Sequence, residues 1–246
     1  QAKKENSWIT SFRLKEGKRD IGIKYAYVCK TGFDYVIKFC KEHKIKYHYI
    51  GLVDADMVLD KDFFEKLMAE FEKNPKLGIA SGGVYNTCKG HFVWESSRED
   101  LPRGGARLWR KDCFEETNGY QCTSSPDVVS NVKAMLRGWE IRQFKEIKAI
   151  QSRPTSSAEG LWKGYYKRGF FYYYLNYNPI IAFSKGLTYC FRKPYYIGLF
   201  FLYGYFRGLL KRQAKIKDKE IRAYFYEDII RDIWQYYWNN FKNKLI

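Results

Sequence analysis

The chain has 246 residues and a formal net charge of +17, and 46% of its residues are hydrophobic and 19% aromatic. This length allows one large domain, or a domain with an appendage, and makes two small domains a poor fit. The six cysteines form no Cys-x-x-Cys pair and have no regular spacing, which argues against a disulfide scaffold or a zinc site and favours reduced thiols.

The positive charge is concentrated in the C-terminal part. From Ile141 onward there are 20 Lys and Arg against 7 Asp and Glu, a net charge of +13, whereas residues 1–140 carry +4. Such a basic surface is expected to meet an anionic partner, either nucleic acid or anionic lipid, unless it is only a solvated face.

Helical and strand patterns alternate between residues 31 and 150. In chain order the patterns predict a helix over Thr31–His43, a strand over Tyr47–Val53, a helix from Asp60 to Glu72 and a strand over Leu77–Tyr85. A loop over Lys89–Pro102 and a strand over Ala106–Arg110 are expected next. They are followed by a helix ending before Gly119, a helix opening at Ser125-Pro126-Asp127, and a strand over Trp139–Ile150. This alternation predicts an α/β fold with a mostly parallel, Rossmann-type sheet flanked by helices.

Two carboxylates follow the first strand directly. Asp54 and Asp56 stand at i and i+2, where their charges would repel each other and where neither residue favours a strand. Mg²⁺ or Mn²⁺ takes such oxygen ligands, commonly one or two carboxylates together with substrate phosphates, and ligands bind at strand ends of α/β sheets. The alternative is that Asp54 is a turn residue and Asp56 an exposed loop charge.

The composition changes at Leu161. Nineteen aromatic residues lie between Leu161 and Leu210, and the longest uncharged run, Gly169 to Ser184, is 16 residues. A membrane-spanning helix needs about 20 apolar residues, so this aromatic, basic and amphipathic helical region predicts attachment at a membrane interface without crossing. The alternative is an unusually aromatic core. We therefore expect two parts, 1–160 and 161–246.

The order of the motifs is more specific than any single motif. The chain presents Asp54-Ala55-Asp56 after a strand, Ser81-Gly82-Gly83 in the next strand, the segment RGGARLWRKDCFEETNGY from Arg103 to Tyr120, and then an Asp that opens a helix ending in Arg137-Gly138-Trp139. Over roughly residues 15–155 this set resembles the family 2 glycosyltransferases of the GT-A fold.

The resemblance implies roles for three carboxylates. Asp56 would coordinate the divalent cation, Mg²⁺ or Mn²⁺, that binds the donor diphosphate, with Asp54 contacting the ribose or sugar side of the nucleotide-sugar. Asp127 would be the general base that removes the proton from an acceptor hydroxyl, in a reaction that inverts the anomeric centre. The alternative for Asp127 is a partner of the helix dipole.

The resemblance also implies donor and acceptor contacts. Arg103, Gly104 and Gly105 would line the sugar pocket, and Lys18 or Arg19 would approach the nucleotide, unless these two are only surface charges.

The sequence departs from the family pattern in three places. Pro126 stands where the family usually has the first acid of a pair, and Gln151 or Ser152 stands where it often has a histidine. The family's usual opening strand and first nucleotide-contacting loop are absent before Gln1, so we expect the catalytic domain to be N-terminally incomplete.

Together these features predict an inverting, metal-dependent glycosyltransferase. The expected partners are a nucleotide-sugar donor, a lipid-linked or other membrane-associated glycan acceptor and an anionic membrane surface, and no nucleic acid is expected. We expect a peripheral location on the cytoplasmic face of the cell membrane and a role in polysaccharide biosynthesis.

Two other classes remain open. One is a non-enzymatic, basic and aromatic nucleic-acid-binding protein, which would have no use for Asp54, Asp56 and Asp127. The other is a metal-dependent nucleotidyltransferase, which also uses carboxylates and Mg²⁺ but predicts no sugar pocket beside Asp127.

Overall fold

The structure is a computed structural model that describes residues 9–11, 14, 23–88, 91–95, 98–151 and 160–242. In the part before Leu161, the helices are α1 (Ile23–Glu42), α2 (Phe63–Lys73), α3 (Lys111–Glu116) and α4 (Pro126–Leu136). The strands are β1 (Tyr49–Val53), β2 (Met57–Leu59), β3 (Leu77–Cys88), β4 (His91–Trp94), β5 (Ala106–Arg110) and β6 (Glu140–Gln151).

These six strands form one mixed sheet. The order is β1-β5-β3-β6-β2, with β4 paired to β3 beside this path. Only β3 and β6 pair in parallel among the described strands, and the other four pairings are antiparallel. The predicted α/β class is confirmed, but the sheet is mixed rather than mostly parallel. Hydrophobic periodicity identifies strands without fixing their direction, and β5 enters between β1 and β3 in the opposite sense.

Two local predictions need correction. The polar segment 89–102 is not all loop, because His91–Trp94 pairs with the end of β3 from Tyr85 to Cys88. The first helix begins at Ile23, eight residues before the predicted Thr31. Exposed side chains such as Tyr27 obscure its apolar periodicity.

The sheet separates two apolar layers. On one face, Ala26 and Phe33 of α1 pack with Ile79 and Trp109. On the other face, α2 packs its buried phenylalanines and Leu67 against neighbours that include Leu108. Trp109 and Leu108 are adjacent in β5 and point to opposite faces, as strand geometry requires. Each layer buries the apolar side of one flanking helix.

Five further helices follow the sheet. They are α5 (Leu161–Tyr174), α6 (Pro179–Cys190), α7 (Tyr196–Leu210), α8 (Lys219–Ala223) and α9 (Ile229–Lys242), with a π-helical turn at Tyr224–Asp228 between the last two. None of the described helices is both long enough and apolar enough to cross a bilayer.

Part of the aromatic content beyond Leu161 is core. Tyr173, Tyr189, Phe201 and Tyr205 are each less than 5% exposed. Another cluster joins Phe225 and other residues of this part to α4, the helix that carries Asp127. The division at residue 160 stays a prediction, and the two parts share a packed interface along α4.

Candidate functional site

The candidate site lies at the carboxyl end of β1. Val53, the last residue of β1, pairs with Ala106, the first residue of antiparallel β5. The backbone N–H of Asp54 donates to the carbonyl of Gly105 at 2.7 Å, which extends this pairing by one step. The end of β1 therefore brings Asp54 directly against the glycine pair that the sequence placed in a sugar pocket.

Asp54 is held by a residue of α1. The Tyr25 hydroxyl donates a hydrogen bond to Asp54 Oδ1 at 2.7 Å. The other carboxylate oxygen, Oδ2, would lie 3.2 Å from a Cβ added at Gly105. The carboxylate therefore has one oxygen fixed by the phenol and one beside the glycine.

Electrostatics couple Asp54 to its neighbours. Burial raises the pKa of the Asp54 carboxyl, and the charges of Asp56 and Asp127 raise it further, whereas the Tyr25 hydrogen bond and Arg107 act in the opposite direction. The net pKa is above its ordinary value. Three acidic side chains thus act on one another at this end of the sheet, an arrangement that a bound cation would stabilise.

Asp127 faces the same glycine pair from α4. It is the second residue of that helix, whose first position is Pro126. A Cβ at Gly104 would lie 3.2 Å from Asp127 Oδ2. Any larger residue at position 104 would crowd Asp127, as one at position 105 would crowd Asp54, so the glycines let the two carboxylates approach the loop from both sides.

The helix that carries Asp127 opens at the predicted Ser125-Pro126-Asp127. Ser125 occupies the N-cap position of α4, but its side chain makes no capping hydrogen bond. The first turn therefore carries Asp127 near its free N–H groups, which a negative charge stabilises.

Arg107 holds the loop before β5 through hydrogen bonds from its side chain. Its side chain is fully buried and donates to the carbonyls of Arg103 at 2.8 Å, Asp127 at 3.4 Å and Pro102. Burial lowers the pKa of this guanidinium, and the negative charge of Asp127 partly offsets that effect. These three bonds join the loop before β5 to the first turn of α4.

Arg103 is beside the site but is engaged elsewhere. Its guanidinium pairs with Glu95 at 3.1 Å, and its backbone N–H donates to the Ser81 hydroxyl at 3.0 Å. Within the part of the chain that the structure describes, the Nε atom of Arg103 is buried without a hydrogen-bond partner. The structure thus places Arg103 next to Gly104 and Gly105, with its charge directed toward β4.

Two predicted contacts cannot be placed. Lys18 and Arg19 lie outside the described residues, as does Ser152. Gln151 is the last residue of β6 and pairs with Met57 of β2.

A divalent cation fits the oxygen chemistry of this edge. Across the described ranges, no group of three or more His, Cys, Asp or Glu side chains is close enough to form a metal cage. Mg²⁺ and Mn²⁺ do not need such a cage when substrate phosphates supply ligands, because one or two carboxylates then suffice. The mutually repelling Asp54 and Asp56 are the residues suited to that role.

Sequence reasoning missed three residues of the site. Tyr25 lies in a segment with no clear period, and Arg107 lies in a strand predicted from its apolar neighbours. Tyr120, the last residue of the quoted motif, is 3% exposed, and its hydroxyl has no hydrogen-bond partner among the described residues. Burial and the nearby charge of Asp127 raise the pKa of the Tyr120 phenol, so it stays protonated and available as a donor. A charged residue inside an apolar strand was the available signal for Arg107.

This chain is similar to a known protein family, to a curated protein and to a solved structure. Residues 32–143 match the family described as Glycosyl transferase family 2. Glucomannan 4-beta-mannosyltransferase 7 from Arabidopsis thaliana is 26% identical over 129 residues, which is 44% of this chain and 23% of that relative. The chain therefore spans less than a quarter of the length of that curated relative.

A solved structure, the mannosyltransferase PcManGT from Pyrobaculum calidifontis in complex with GDP-Man and Mn²⁺, has 12% sequence identity and a TM-score of 0.39. The similarity covers 70% of this chain and 52% of that one. At this TM-score the likeness carries no argument about substrate or metal.

Proposed function

Since residues 32–143 match the family described as Glycosyl transferase family 2, we propose that this chain is an inverting, metal-dependent enzyme that transfers a hexosyl group from a nucleotide-sugar to a membrane-associated or lipid-linked glycan. The observation that supports this proposal most directly is the glycine pair between two carboxylates. Asp127 lies against Gly104 and Asp54 against Gly105. This arrangement leaves a side-chain-free loop between an acid suited to the donor and an acid suited to the acceptor.

In the proposed reaction Asp127 is the general base. An acceptor hydroxyl oxygen attacks the anomeric carbon, its proton passes to the Asp127 carboxylate, and the bond from that carbon to the diphosphate oxygen breaks. The nucleoside diphosphate leaves with the bonding electron pair, and the anomeric configuration inverts because attack and departure occur on opposite faces.

The donor is proposed to bind beside Asp54. Tyr25 fixes one oxygen of this carboxylate, and the loop of Gly104 and Gly105 lets a sugar approach the backbone closely. Arg107 holds that loop against α4 and so fixes the spacing between donor and base. Arg103 would contact the sugar only after giving up part of its pairing with Glu95.

Asp56 and Asp54 would hold the divalent cation. The cation would neutralise the charge that develops on the departing diphosphate, which is its usual contribution in such transfers. The relative from Arabidopsis thaliana is named as a mannosyltransferase, so a mannosyl nucleotide is the first donor to test.

The proposed location is the cytoplasmic face of the cell membrane, where the chain would be peripheral and serve polysaccharide biosynthesis. The net charge of +13 from Ile141 onward supports an anionic surface as partner. A membrane-bound acceptor would then be held at the same surface as the enzyme.

Donor binding tests the metal site. We expect Asp56→Ala to abolish the Mn²⁺-dependent binding of a nucleotide-sugar in isothermal titration, because the diphosphate charges are left without a bound cation. Asp34→Ala, which removes an exposed carboxylate paired with Lys30 on α1, is the matched control and should bind as the wild type does. Equal binding by the Asp56 variant would remove the proposed metal role.

Turnover tests the base separately. We expect Asp127→Asn to keep donor affinity while lowering the transfer rate by about 10²-fold or more, since the amide cannot accept the hydroxyl proton. Donor titration and rate measurement on the same preparation separate binding from chemistry. Transfer at the wild-type rate would leave Asp127 as a helix-dipole partner only.

A further inference from the structure

Two neighbouring helices of the C-terminal part expose apolar side chains in continuous stripes. On α6 the exposed fractions are 73% for Ile180, 51% for Phe183, 45% for Leu187, and 78% for Phe191 just beyond its end. On α7 and the residue before it, the exposed side chains are Tyr195, Tyr196, Leu199, Tyr203, Phe206 and Leu210. Neither stripe contains a charged residue, which is unusual for a solvent-facing helix surface.

The two helices run antiparallel in close contact. Ala182 packs in one cluster with Tyr205. A Cβ at Gly186 would overlap Leu202, and one at Gly198 would overlap Cys190. Residues later in α6 therefore contact residues earlier in α7, as expected for antiparallel helices. Glycines allow the two backbones to approach closely.

Both stripes face the same side of this pair. On each helix an exposed residue directly follows a contacting one, as Leu187 follows Gly186 and Leu199 follows Gly198. One residue is a rotation of about 100° around an α-helix, so each stripe lies roughly a quarter turn from the contact, in the same rotational sense seen from its own N-terminus. Because the helices are antiparallel, equal rotations bring both stripes to one surface. We call this surface the α6–α7 platform.

Positive charge lies at both ends of the platform. Residues 160–217 contain 11 Lys and Arg and no Asp or Glu. Arg192 and Lys193 are exposed at the turn between α6 and α7, and Lys211 and Arg212 are exposed at the other end of α7. The platform is therefore uncharged in the middle and cationic at both ends.

We propose that the α6–α7 platform docks in the plane of an anionic lipid bilayer. Its apolar side chains would enter the boundary between headgroups and acyl chains, and the cationic ends would contact lipid phosphates. At 1.5 Å per residue, the 12 residues of α6 and the 15 of α7 extend about 18 Å and 22 Å, short of the roughly 30 Å hydrocarbon core. The helices thus suit a position along the surface.

The charge pattern disfavours two other occupants. A second copy of this chain would bring two cationic frames together with no acid in residues 160–217 to neutralise them. Single-stranded nucleic acid needs cations along its whole path, whereas Ile180, Leu187 and Leu199 present aliphatic surface that cannot stack with bases.

The inference depends on the proposed function only for its purpose, which is to bring the enzyme to a membrane-bound acceptor. The docking itself depends on the exposed apolar stripes and on the cations at both ends of the platform. Failure of sugar transfer with intact vesicle binding would therefore overturn the function and leave the platform standing, and the reverse result would do the opposite.

The test is cosedimentation of the full chain with vesicles of phosphatidylcholine, alone or mixed with phosphatidylglycerol. We expect Leu187→Glu with Leu199→Glu to weaken binding to the mixed vesicles at least about tenfold, because both stripes lose apolar contact and gain negative charge. The matched control is Ile45→Glu with Leu136→Glu, two apolar residues of 48% and 44% exposure away from the platform. It carries the same charge change and should bind nearly as the wild type does.

A second variant tests the cationic end. Arg192→Gln with Lys193→Gln should weaken binding to the mixed vesicles and leave the weak binding to phosphatidylcholine unchanged. Far-ultraviolet circular dichroism and the midpoint of thermal unfolding show whether each variant is folded.

Several results would overturn the proposal. The platform and control variants could lose vesicle binding equally, or the wild type could bind both vesicle types equally. Single-stranded nucleic acid could compete with vesicles for the wild type but not for the platform variant. The wild type could also be a dimer in solution that the platform variant converts to monomers.

Discussion

At the scale of single residues, Tyr25 is the contact that sequence patterns did not reveal. It reaches from α1 to the oxygen of Asp54 that faces away from Gly105. This bond sets the rotation of the carboxylate, so donor affinity is expected to depend on a residue that the donor does not touch.

We expect Tyr25→Phe to weaken donor binding roughly five- to thirtyfold, which corresponds to about 1 to 2 kcal/mol for a hydrogen bond to a charged group. Isothermal titration with a nucleotide-sugar and Mn²⁺ measures this change. Tyr27→Phe removes a hydroxyl from a half-exposed side chain of the same helix and serves as the control. If Tyr25→Phe and Tyr27→Phe bind the donor with equal affinity, the Tyr25 hydroxyl does not contribute to donor binding and the side chain serves only in packing.

At the scale of elements, a partly buried ion pair joins α4 to the start of α8. Lys133 Nζ lies 2.8 Å from Asp218 Oδ2, with side-chain exposures of 8% and 25%. The other oxygen of Asp218 accepts from the N–H groups of Glu220 and Ile221 and caps α8. Partial burial by itself raises the pKa of Asp218, but the hydrogen bond from Lys133 and those backbone N–H groups outweigh it and hold the pKa below its ordinary value.

We expect Asp218→Asn to lower the free energy of unfolding by about 1 to 3 kcal/mol at neutral pH, because asparagine keeps the cap but leaves the Lys133 charge unpaired. Because the pKa of Asp218 is lower in the folded state, its charge stabilises the fold at pH values above the unfolded-state pKa of about 3.9. This stabilisation is lost as the pH falls through the folded-state pKa. The difference between wild type and variant should therefore begin to shrink near pH 4 and disappear as the pH falls through the lower folded-state pKa.

Denaturant unfolding at a series of pH values measures this difference. Asp34→Asn, at an exposed pair with Lys30, is the control and should change stability little at any pH. A constant difference between wild type and Asp218→Asn across the pH range would show that the ion pair is not its source.

At the scale of the whole molecule, the C-terminal helices support the helix that carries Asp127. Val129 and Val132 of α4 pack with Ile221 and Phe225 in one buried cluster. Phe225 also stacks on Tyr177, with ring centroids 4.3 Å apart. Removal of residues beyond 160 would uncover the apolar side of α4, so the two predicted parts are not expected to be independent in stability.

We expect Phe225→Ala to lower the free energy of unfolding by about 3 to 5 kcal/mol, the usual cost of a large cavity in a core. Hydrogen exchange should show lost protection in α4 as well as in α8, because both helices face the cavity. Phe191→Ala, at a side chain that is 78% exposed, is the control and should leave protection unchanged. Unaltered protection of α4 in the Phe225 variant would show that the parts unfold separately.

The sequence by itself determined the type and order of most elements and the family of the central segment. The strand at 106–110 and the helix that opens at Pro126 follow from local patterns, because a short run of apolar residues and an N-terminal proline indicate the backbone conformation that those residues prefer. The ordered motifs around Asp54, Gly104 and Asp127 predicted the match of residues 32–143 to glycosyltransferase family 2, because chemistry at a site constrains residue types along the chain.

The tertiary structure alone decided the direction of the strands, the partner of Asp54 and the surface that the C-terminal helices expose. Strand direction depends on how connections cross the sheet, which hydrophobic periodicity does not encode. Tyr25 and Asp54 are 29 positions apart, and buried Arg107 donates to the carbonyl of Asp127, 20 positions away on α4. Aromatic residues serve both cores and interfaces, so only packing could separate buried Phe201 from exposed Phe191.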